Sequence, residues 1–212
     1  MLAGIPLNPV GLVYSSGPSQ RSLPMVLLVA GLVLFLGVHL VPAAPALRAS
    51  LLARLGERSY RGAYSALSAV GLGLIVVGFG LARGGPALFA PVQGAIALAP
   101  YAMAASFALF AAANLRGHLR RAIGHPMLVG TILWAGVHLA ANGDLASTVL
   151  FGAFLAWALV DLASAIARRA VRSVEPAIAH DVIAVIAGVV AMLAFATLHR
   201  VLIGVKVVPF GL

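Results

Sequence analysis

The chain contains no cysteine, and this absence excludes several kinds of site. Without thiols there can be no disulfides, no thiolate-bound zinc or iron–sulfur cluster, no covalently attached c-type haem and no cysteine nucleophile. The absence carries no information about cellular compartment, because a fold embedded in a membrane has little need of disulfides.

Charged residues are also scarce. Asp, Glu, Lys and Arg make up only 9% of the 212 residues, against about 25% in soluble domains. Hydrophobic residues make up 62%, and the mean hydropathy is +1.08. The hydrophobic runs are continuous, whereas transmembrane β-strands alternate over about ten residues. The predicted fold class is therefore all-α, a polytopic transmembrane helical bundle formed by one domain.

Six segments are apolar enough for membrane spans, each of which needs about twenty residues. The fourth is short, and beginning it at Ala122 would lengthen it. Pro126 suits the first turn of this helix, where a missing N–H breaks no hydrogen bond. The predicted spans are residues 24–43, 62–82, 95–115, 126–141, 145–167 and 182–203.

The connections between these spans differ in positive charge. Ten of the fourteen Lys and Arg residues fall in the loops after the first, third and fifth spans. The positive-inside rule places these loops in the cytoplasm, so both termini are predicted to be external. The net charge of +9 is then explained by orientation and by anionic phospholipid at the cytoplasmic loops. No nucleic-acid partner is expected, because the charge is spread over short loops.

Two segments outside the spans have distinct compositions. Residues 1–24 form an extension broken by Pro6, Pro9 and Pro18, which predicts poor order or a start assigned too early. Residues 25–212 form the membrane domain. In the first cytoplasmic loop, leucines at helical spacing alternate with arginines around Arg54. This pattern predicts either a helix lying in the membrane interface or an ordinary basic loop.

Ionisable residues within membrane helices are costly and are candidates for function. His39, His125 and Asp161 fall near the cytoplasmic ends of their spans, as do His180 and Asp181. Neutral imidazole binds metals and haem iron, and a carboxylate can fix its tautomer. A polar cluster on the cytoplasmic side is therefore predicted, with packing or capping as the alternative role.

His138 is predicted to belong to a different site. It lies about 20 Å along the helix from His125 and on nearly the opposite face, at a depth shared with His199. One metal bound by both His125 and His138 is therefore not expected. His39 and His138 both occur in the tetrapeptide Gly-Val-His-Leu, but their flanks differ, so the repeat is interpreted as coincidence.

Three further polar residues are predicted to have local roles. Asp144 follows Asn142 and Gly143, which predicts a turn and an N-cap for the fifth span. Asp181 is expected in the first turn of the sixth span, where the helix dipole favours an acid. His118 is surrounded by arginines and is expected to be solvated.

The chain resembles the NnrU family of bacterial membrane proteins from Met25 onward. The most specific segment is HPMLVGTILWAGVHLAANGD at residues 125–144. Matching segments are also found at 31–42 (GLVLFLGVHLVP), 55–64 (LGERSYRGAY), 151–161 (FGAFLAWALVD) and 198–210.

The resemblance implies a multi-pass protein of the bacterial inner (cytoplasmic) membrane that supports denitrification, without a firmly defined biochemical role. The family is similar to the 15-cis-zeta-carotene isomerase of plants and cyanobacteria, which uses a non-covalent b-type haem with histidine ligation. A haem-dependent membrane isomerase of a polyene is therefore the alternative function, and whether the protein is an enzyme stays open.

The same resemblance implies candidate ligands for haem b. These are His39, His125 and His138, with Trp134, Asn142 and Asp161 around them. Depth favours His39 together with His125, whereas the resemblance leaves His138 equally eligible.

Overall fold

The structure is a computed structural model that describes residues 18–170, 175–202 and 207. These residues form helices joined by short connections, and their one bridge of β type, between Ala87 and Asp144, is isolated. The predicted all-α class is confirmed. The helices are α1 (Pro18–Leu40), α2 (Pro45–Ala82), α3 (Gln93–Ala112), α4 (His118–Ile123), α5 (Pro126–Ala141), α6 (Leu145–Ala167) and α7 (Ile178–Leu202), and a 3₁₀ turn (Val41–Ala43) follows α1.

The helices pack side by side in the order α2, α1, α6, α5, α3, α7. In this row α6 is the element that contacts α1 and α2 on one side and α5 on the other. The last helix, α7, packs mainly against α3 and, near its start, against α4. Helices α2 and α7 therefore form the two edges of the described bundle.

Five helices are long and apolar enough to cross a membrane, and α5 is shorter, with 16 residues. At 1.5 Å per residue α5 covers about 24 Å, against a hydrocarbon thickness of about 30 Å. Helix α5 lies between α3 and α6, so neighbouring helices rather than lipid cover two of its sides. The alternative start at Ala122 is wrong, since Gly124 (φ 72°) ends the separate helix α4 before α5 begins.

The other predicted boundaries differ modestly from the structure. Helix α1 begins at Pro18 and contains Pro24, α3 ends at Ala112, and α7 begins at Ile178. The leucine- and arginine-rich segment is the first part of α2, and it is separated from the span by non-helical backbone at Gly56. Residues 1–17 of the predicted extension, and the predicted end of the sixth span at residue 203, lie outside the described residues.

Glycines allow α1 and α2 to approach closely. A Cβ on Gly78 would lie 2.3 Å from the Leu28 backbone nitrogen, and one on Gly71 would lie 2.9 Å from that of Phe35. Close backbone approach adds van der Waals contact, which drives helix association where lipid removes the hydrophobic driving force. The same antiparallel register, continued by one turn, places Ser68 of α2 opposite residues 38 and 39 of α1.

Backbone and side-chain hydrogen bonds bring the three arginine-rich connections to one end of the bundle. Arg168 Nη1 donates to the Ala43 carbonyl (2.8 Å), and the Ala177 N–H donates to the Arg116 carbonyl (2.9 Å). At the opposite end, the Leu88 N–H donates to the Gly143 carbonyl (2.7 Å). Six helices, including the short α5, therefore run between an arginine-rich end and an arginine-poor end.

The charge difference between these ends predicts the orientation in the membrane. Reporter fusions at Gly56 and Gly117 should give cytoplasmic signals, and a fusion at Gly143 should give an external signal, because the arginine-rich end is retained inside. A cytoplasmic signal at Gly143 would contradict this topology.

The glycine contact predicts a stability effect. Replacing Gly78 with Leu should lower the thermal stability of the detergent-solubilised protein by about 1–3 kcal/mol, because the side chain would push against the Leu28 backbone. The matched control is Gly80→Leu on the same helix, where an added Cβ meets nothing within 4 Å. Equal stabilities of the two variants would show that α1 and α2 are not in close contact.

Candidate functional site

His39 lies in the last turn of α1, at the arginine-rich end, and faces α2 and α6. Its Nδ1 lies 2.7 Å from the Phe35 carbonyl one turn earlier in the same helix. Since a carbonyl only accepts, Nδ1 carries the proton and, in the neutral ring, Nε2 keeps its lone pair. The imidazole contacts the rings of Phe35, Tyr64 and Trp157, with centroid distances of 4.2, 5.4 and 6.1 Å.

Two buried polar atoms around His39 have no hydrogen-bond partner among the described residues. They are Nε1 of Trp157 on α6 and Oγ of Ser68 on α2. Asp161 follows Trp157 by one turn of α6 and interacts electrostatically with Tyr64. Leaving a buried donor unpaired costs about 1–3 kcal/mol, so these atoms mark a place where a polar partner would be stabilising. We call His39, Tyr64, Ser68, Trp157 and Asp161 the His39 cluster.

His138 lies near the arginine-poor end of α5 and repeats the geometry of His39. Its Nδ1 lies 2.8 Å from the Trp134 carbonyl one turn earlier, which again leaves Nε2 with the lone pair. The ring packs against Phe151 (4.8 Å between centroids) and Trp134 (5.6 Å). His199 of α7 interacts electrostatically with His138, in agreement with the predicted similar depth.

A continuous series of aromatic rings joins the two histidines. From His39 the ring contacts run through Phe35 to Phe154 (6.0 Å) and on to Trp134 (5.3 Å), which contacts His138. These rings come from α1, α6 and α5. The structure therefore places His39 and His138 at the two ends of one aromatic cluster in the interior of the bundle.

The shared Gly-Val-His-Leu sequence corresponds to a shared local structure. In both copies an aromatic residue four positions before the histidine supplies the carbonyl that Nδ1 contacts and a ring that packs against the imidazole. The interpretation of the repeat as coincidence did not anticipate this equivalence.

His125 lies in different surroundings. It is the N-cap residue of α5, and Pro126 occupies the first turn as predicted. Its Nε2 is buried with no hydrogen-bond partner in the described chain. It lines a pocket of about 240 Å³ together with Arg120 and Ala170. Among the described residues, His39 does not line this pocket, and no ring contact joins His39 to His125. The pairing of these two histidines, which their similar predicted depth in the membrane favoured, therefore stays a prediction.

The predicted polar cluster at the arginine-rich end is divided into two groups. His180 and Asp181 lie on α7, at the edge of the row, and contact the segment around α4 rather than His39. Asp181 accepts hydrogen bonds from the backbone N–H groups of His118 (2.8 Å) and Leu119 (2.9 Å). His118 Nδ1 also lies 2.8 Å from the same carboxylate, so His118, which is largely exposed to solvent as predicted, also has a specific partner that the sequence did not indicate. Asp181 lies in the first turn of α7 as predicted, and it also fixes the start of α4.

The residues around the α5–α6 turn have structural roles. Asp144 is the N-cap of α6 and accepts from the Ser147 N–H (3.0 Å), which confirms the prediction. Asn142 donates to the His138 carbonyl (2.8 Å) and so completes the end of α5. A Cβ on Gly143 would lie 1.9 Å from the Phe89 carbonyl oxygen, because the α2–α3 connection crosses this turn. Asn142 therefore supports the backbone of His138 and not its ring.

Sequence reasoning did not select several residues of the site. Tyr64, Ser68 and Phe154 carry no local sign of function, and their role follows only from the helix order. Within the described chain no group of three or more His, Asp or Glu residues could hold a metal ion. A cofactor that brings most of its own ligands to the metal, as haem does, needs only one or two histidines.

The apolar helices fit a multi-pass membrane protein, in which the part-buried His39 and His138 pack among aromatic rings. The sequence model of the NnrU family (described as "NnrU protein") matches residues 27–207, which is most of the chain. The chain therefore belongs to the NnrU family, as the resemblance predicted. No curated protein and no solved structure matches it.

The contact between α7 and α4 predicts a specific weakness. Replacing Asp181 with Ala should lower thermal stability by about 1–3 kcal/mol and expose the α3–α5 connection to protease, because two N–H groups at the start of α4 lose their acceptor. Replacing Glu57 with Ala is the control, since it removes only an exposed ion pair with Arg61, worth about 0.3–0.5 kcal/mol. A loss no larger than that of the control would contradict the assigned role of Asp181.

Proposed function

We propose that this NnrU protein binds a b-type haem in the interior of the bundle, with His39 as the ligand of the iron, and that it supports nitrogen-oxide respiration in the bacterial cytoplasmic membrane. The observation that carries the proposal is the orientation of the His39 imidazole, whose Nδ1 contacts a backbone carbonyl. Metal-bound histidines almost always donate their second ring N–H to such an acceptor, which fixes the tautomer and presents the other nitrogen to the metal.

The surroundings of His39 fit a haem in two further respects. Aromatic rings from α1 itself and from the neighbouring helices α2 and α6 contact the imidazole, and such an apolar shell excludes water from an iron centre. The unpartnered Trp157 N–H and Ser68 hydroxyl lie beside these rings and would donate to a polar atom introduced with the cofactor. Arg168, held against Ala43 at the same end, supplies a positive charge for an acidic substituent.

Ligation by His39 alone agrees best with the packing. Two nitrogens bound to one iron lie about 4 Å apart, if each bond is about 2 Å as in zinc–imidazole sites. The rings of Phe35, Phe154 and Trp134 lie between His39 and His138, so ligation by both would require these rings to move. With a single histidine ligand, the iron would keep one coordination position for a small molecule such as nitric oxide, which is the chemistry that haem would supply.

The association with nitrogen-oxide metabolism rests on family membership alone. Isomerisation of a polyene stays the alternative function, and it requires a long apolar cavity beside the haem. The pocket at His125 and the groove between α4 and α7 are both lined by residues away from His39, so neither supplies such a cavity beside it. Neighbouring genes for nitrite and nitric oxide reductases would favour the first function, and genes of carotenoid synthesis the second.

Haem binding is tested by spectroscopy of variants. Full-length protein produced with a haem supply should show a Soret band and an iron that dithionite reduces. The His39→Gly variant should lose the band, and added imidazole should restore it by replacing the missing ligand. His180→Ala is the matched control, because His180 is an exposed histidine at the same end of the bundle, bonded to the Arg116 carbonyl.

The variants also separate the three candidate histidines. We expect the His125→Ala and His138→Ala variants to keep the Soret band. We also expect wild-type protein without haem to be less thermally stable, because a cofactor that binds only the folded state stabilises it. A requirement for His138 as well as His39 would establish two ligands and rearranged rings. A chain that binds no haem, or whose Soret band is indifferent to His39→Gly, would refute the proposal.

A further inference from the structure

A groove separates the short helix α4 from the edge helix α7. It has a volume of about 580 Å³, within the range of about 300–1,000 Å³ typical of ligand sites. Five residues of α7 line one wall at helical spacing, and three residues of α4 form the other wall. The lining residues are His118, Leu119, Ala122, Ile178, Asp181, Val182, Val185 and Ile186.

The wall formed by α7 is apolar and open to the surroundings of the bundle. Ile178 and Ile186 have 69% and 59% of their surface exposed, and Val182 and Val185 are about half exposed. These residues lie within the first nine residues of a helix that is long and apolar enough to span a membrane. The face is therefore continuous with the lipid-facing surface of α7, which makes an acyl chain the matching occupant.

One exposed arginine of α4, Arg121, lies beside the end of the groove that His118 and Asp181 line. His118 lines it with a side chain that is 57% exposed. Arg121 lies three residues further along α4, about 60° around the helix from His118, and is exposed. The one acidic side chain in the lining, Asp181, is engaged by His118 and by the N–H groups of α4, so its charge is compensated within the fold.

We propose that this groove is a binding site for an anionic phospholipid, with one acyl chain along Ile178, Val182 and Ile186 and the phosphate between His118 and Arg121. Basic residues at the cytoplasmic ends of spans attract anionic headgroups, and an apolar channel that leads away from them distinguishes this place from the other arginine-rich loops. The lipid would fill the gap between α4 and α7, beside the hydrogen bonds that Asp181 makes to the start of α4. The proposal is independent of haem.

Native mass spectrometry of the full-length protein in detergent tests the proposal, with added phosphatidylglycerol or phosphatidylcholine as probes. Phosphatidylglycerol should form a one-to-one adduct at least about fivefold more stable than that of phosphatidylcholine, which corresponds to one basic residue near a headgroup. Arg121→Gln should remove about fivefold of this affinity, and Val182→Trp should reduce binding by filling the groove.

Two matched controls should leave the adduct unchanged. Val190→Trp places the same side chain on an exposed site of α7 beyond the groove (60% exposed), and Arg54→Gln removes a positive charge from α2. Circular dichroism and thermal unfolding would confirm that each variant is folded, and an unfolded Val182→Trp would be replaced by Val185→Phe.

Four results would overturn the proposal. The first is equal binding of the two lipids, and the second is binding that is indifferent to both Arg121→Gln and Val182→Trp. The third concerns competition by inorganic phosphate. If phosphate alone displaced the bound lipid equally well from wild-type protein and from Val182→Trp, the site would bind an anion without binding an acyl chain. The fourth is a partner protein that binds this face of wild-type protein but not of Val182→Trp, while lipid binding is the same in both.

Discussion

The aromatic contacts of α6 connect the two parts of this protein. Phe154 contacts Phe35 of α1 and Trp134 of α5, and Phe151 contacts Trp134, His138 and Phe79 of α2. On one side of α6 lies the glycine-packed pair α1–α2, and on the other lies the group α5, α3 and α7. Both candidate histidines lie against these rings. The packing that joins the helices in the described bundle is thus also the packing that orients the imidazoles, so the stability of the fold and the geometry of the site depend on the same side chains.

The helices and their local caps could be predicted from the sequence, because they depend on neighbouring residues. The hydropathy of 145–167 predicts α6 to the residue, and Asp144 and Pro126 have the capping and first-turn roles expected of them. The order of the helices in the row depends on contacts between distant segments and has no local signal. For this reason the predicted polar cluster at the arginine-rich end was only partly right. Asp161 does lie beside the surroundings of His39, whereas Asp181 pairs with His118, 63 residues away in sequence.

In the candidate site, too, some contacts are formed within one helix and could be predicted, whereas others are formed between helices and could not. Each histidine obtains the partner for its Nδ1 from its own helix, so the tautomer is fixed by a contact that the sequence spacing contains. The environment of each Nε2 comes from other helices. Tyr64, Ser68 and Trp157 could not be assigned to His39 without knowing that α2 and α6 flank α1. Packing also shows which histidine shares an aromatic cluster with His39. This is His138, whereas the similar depth predicted for His125 carries no information about contacts between helices.

Tryptophan emission tests the central claim, that a haem lies at His39 within this aromatic cluster, most directly. The chain has two tryptophans, Trp157 at His39 and Trp134 at His138, so single-tryptophan variants report on the two ends of the cluster separately. Haem quenches nearby indole emission by energy transfer. Titration with haem should quench Trp157 in the Trp134→Phe variant, saturating at one haem per chain, and His39→Gly should abolish the quenching. A Soret band that develops fully while Trp157 emission stays unchanged would place the haem elsewhere and contradict the account.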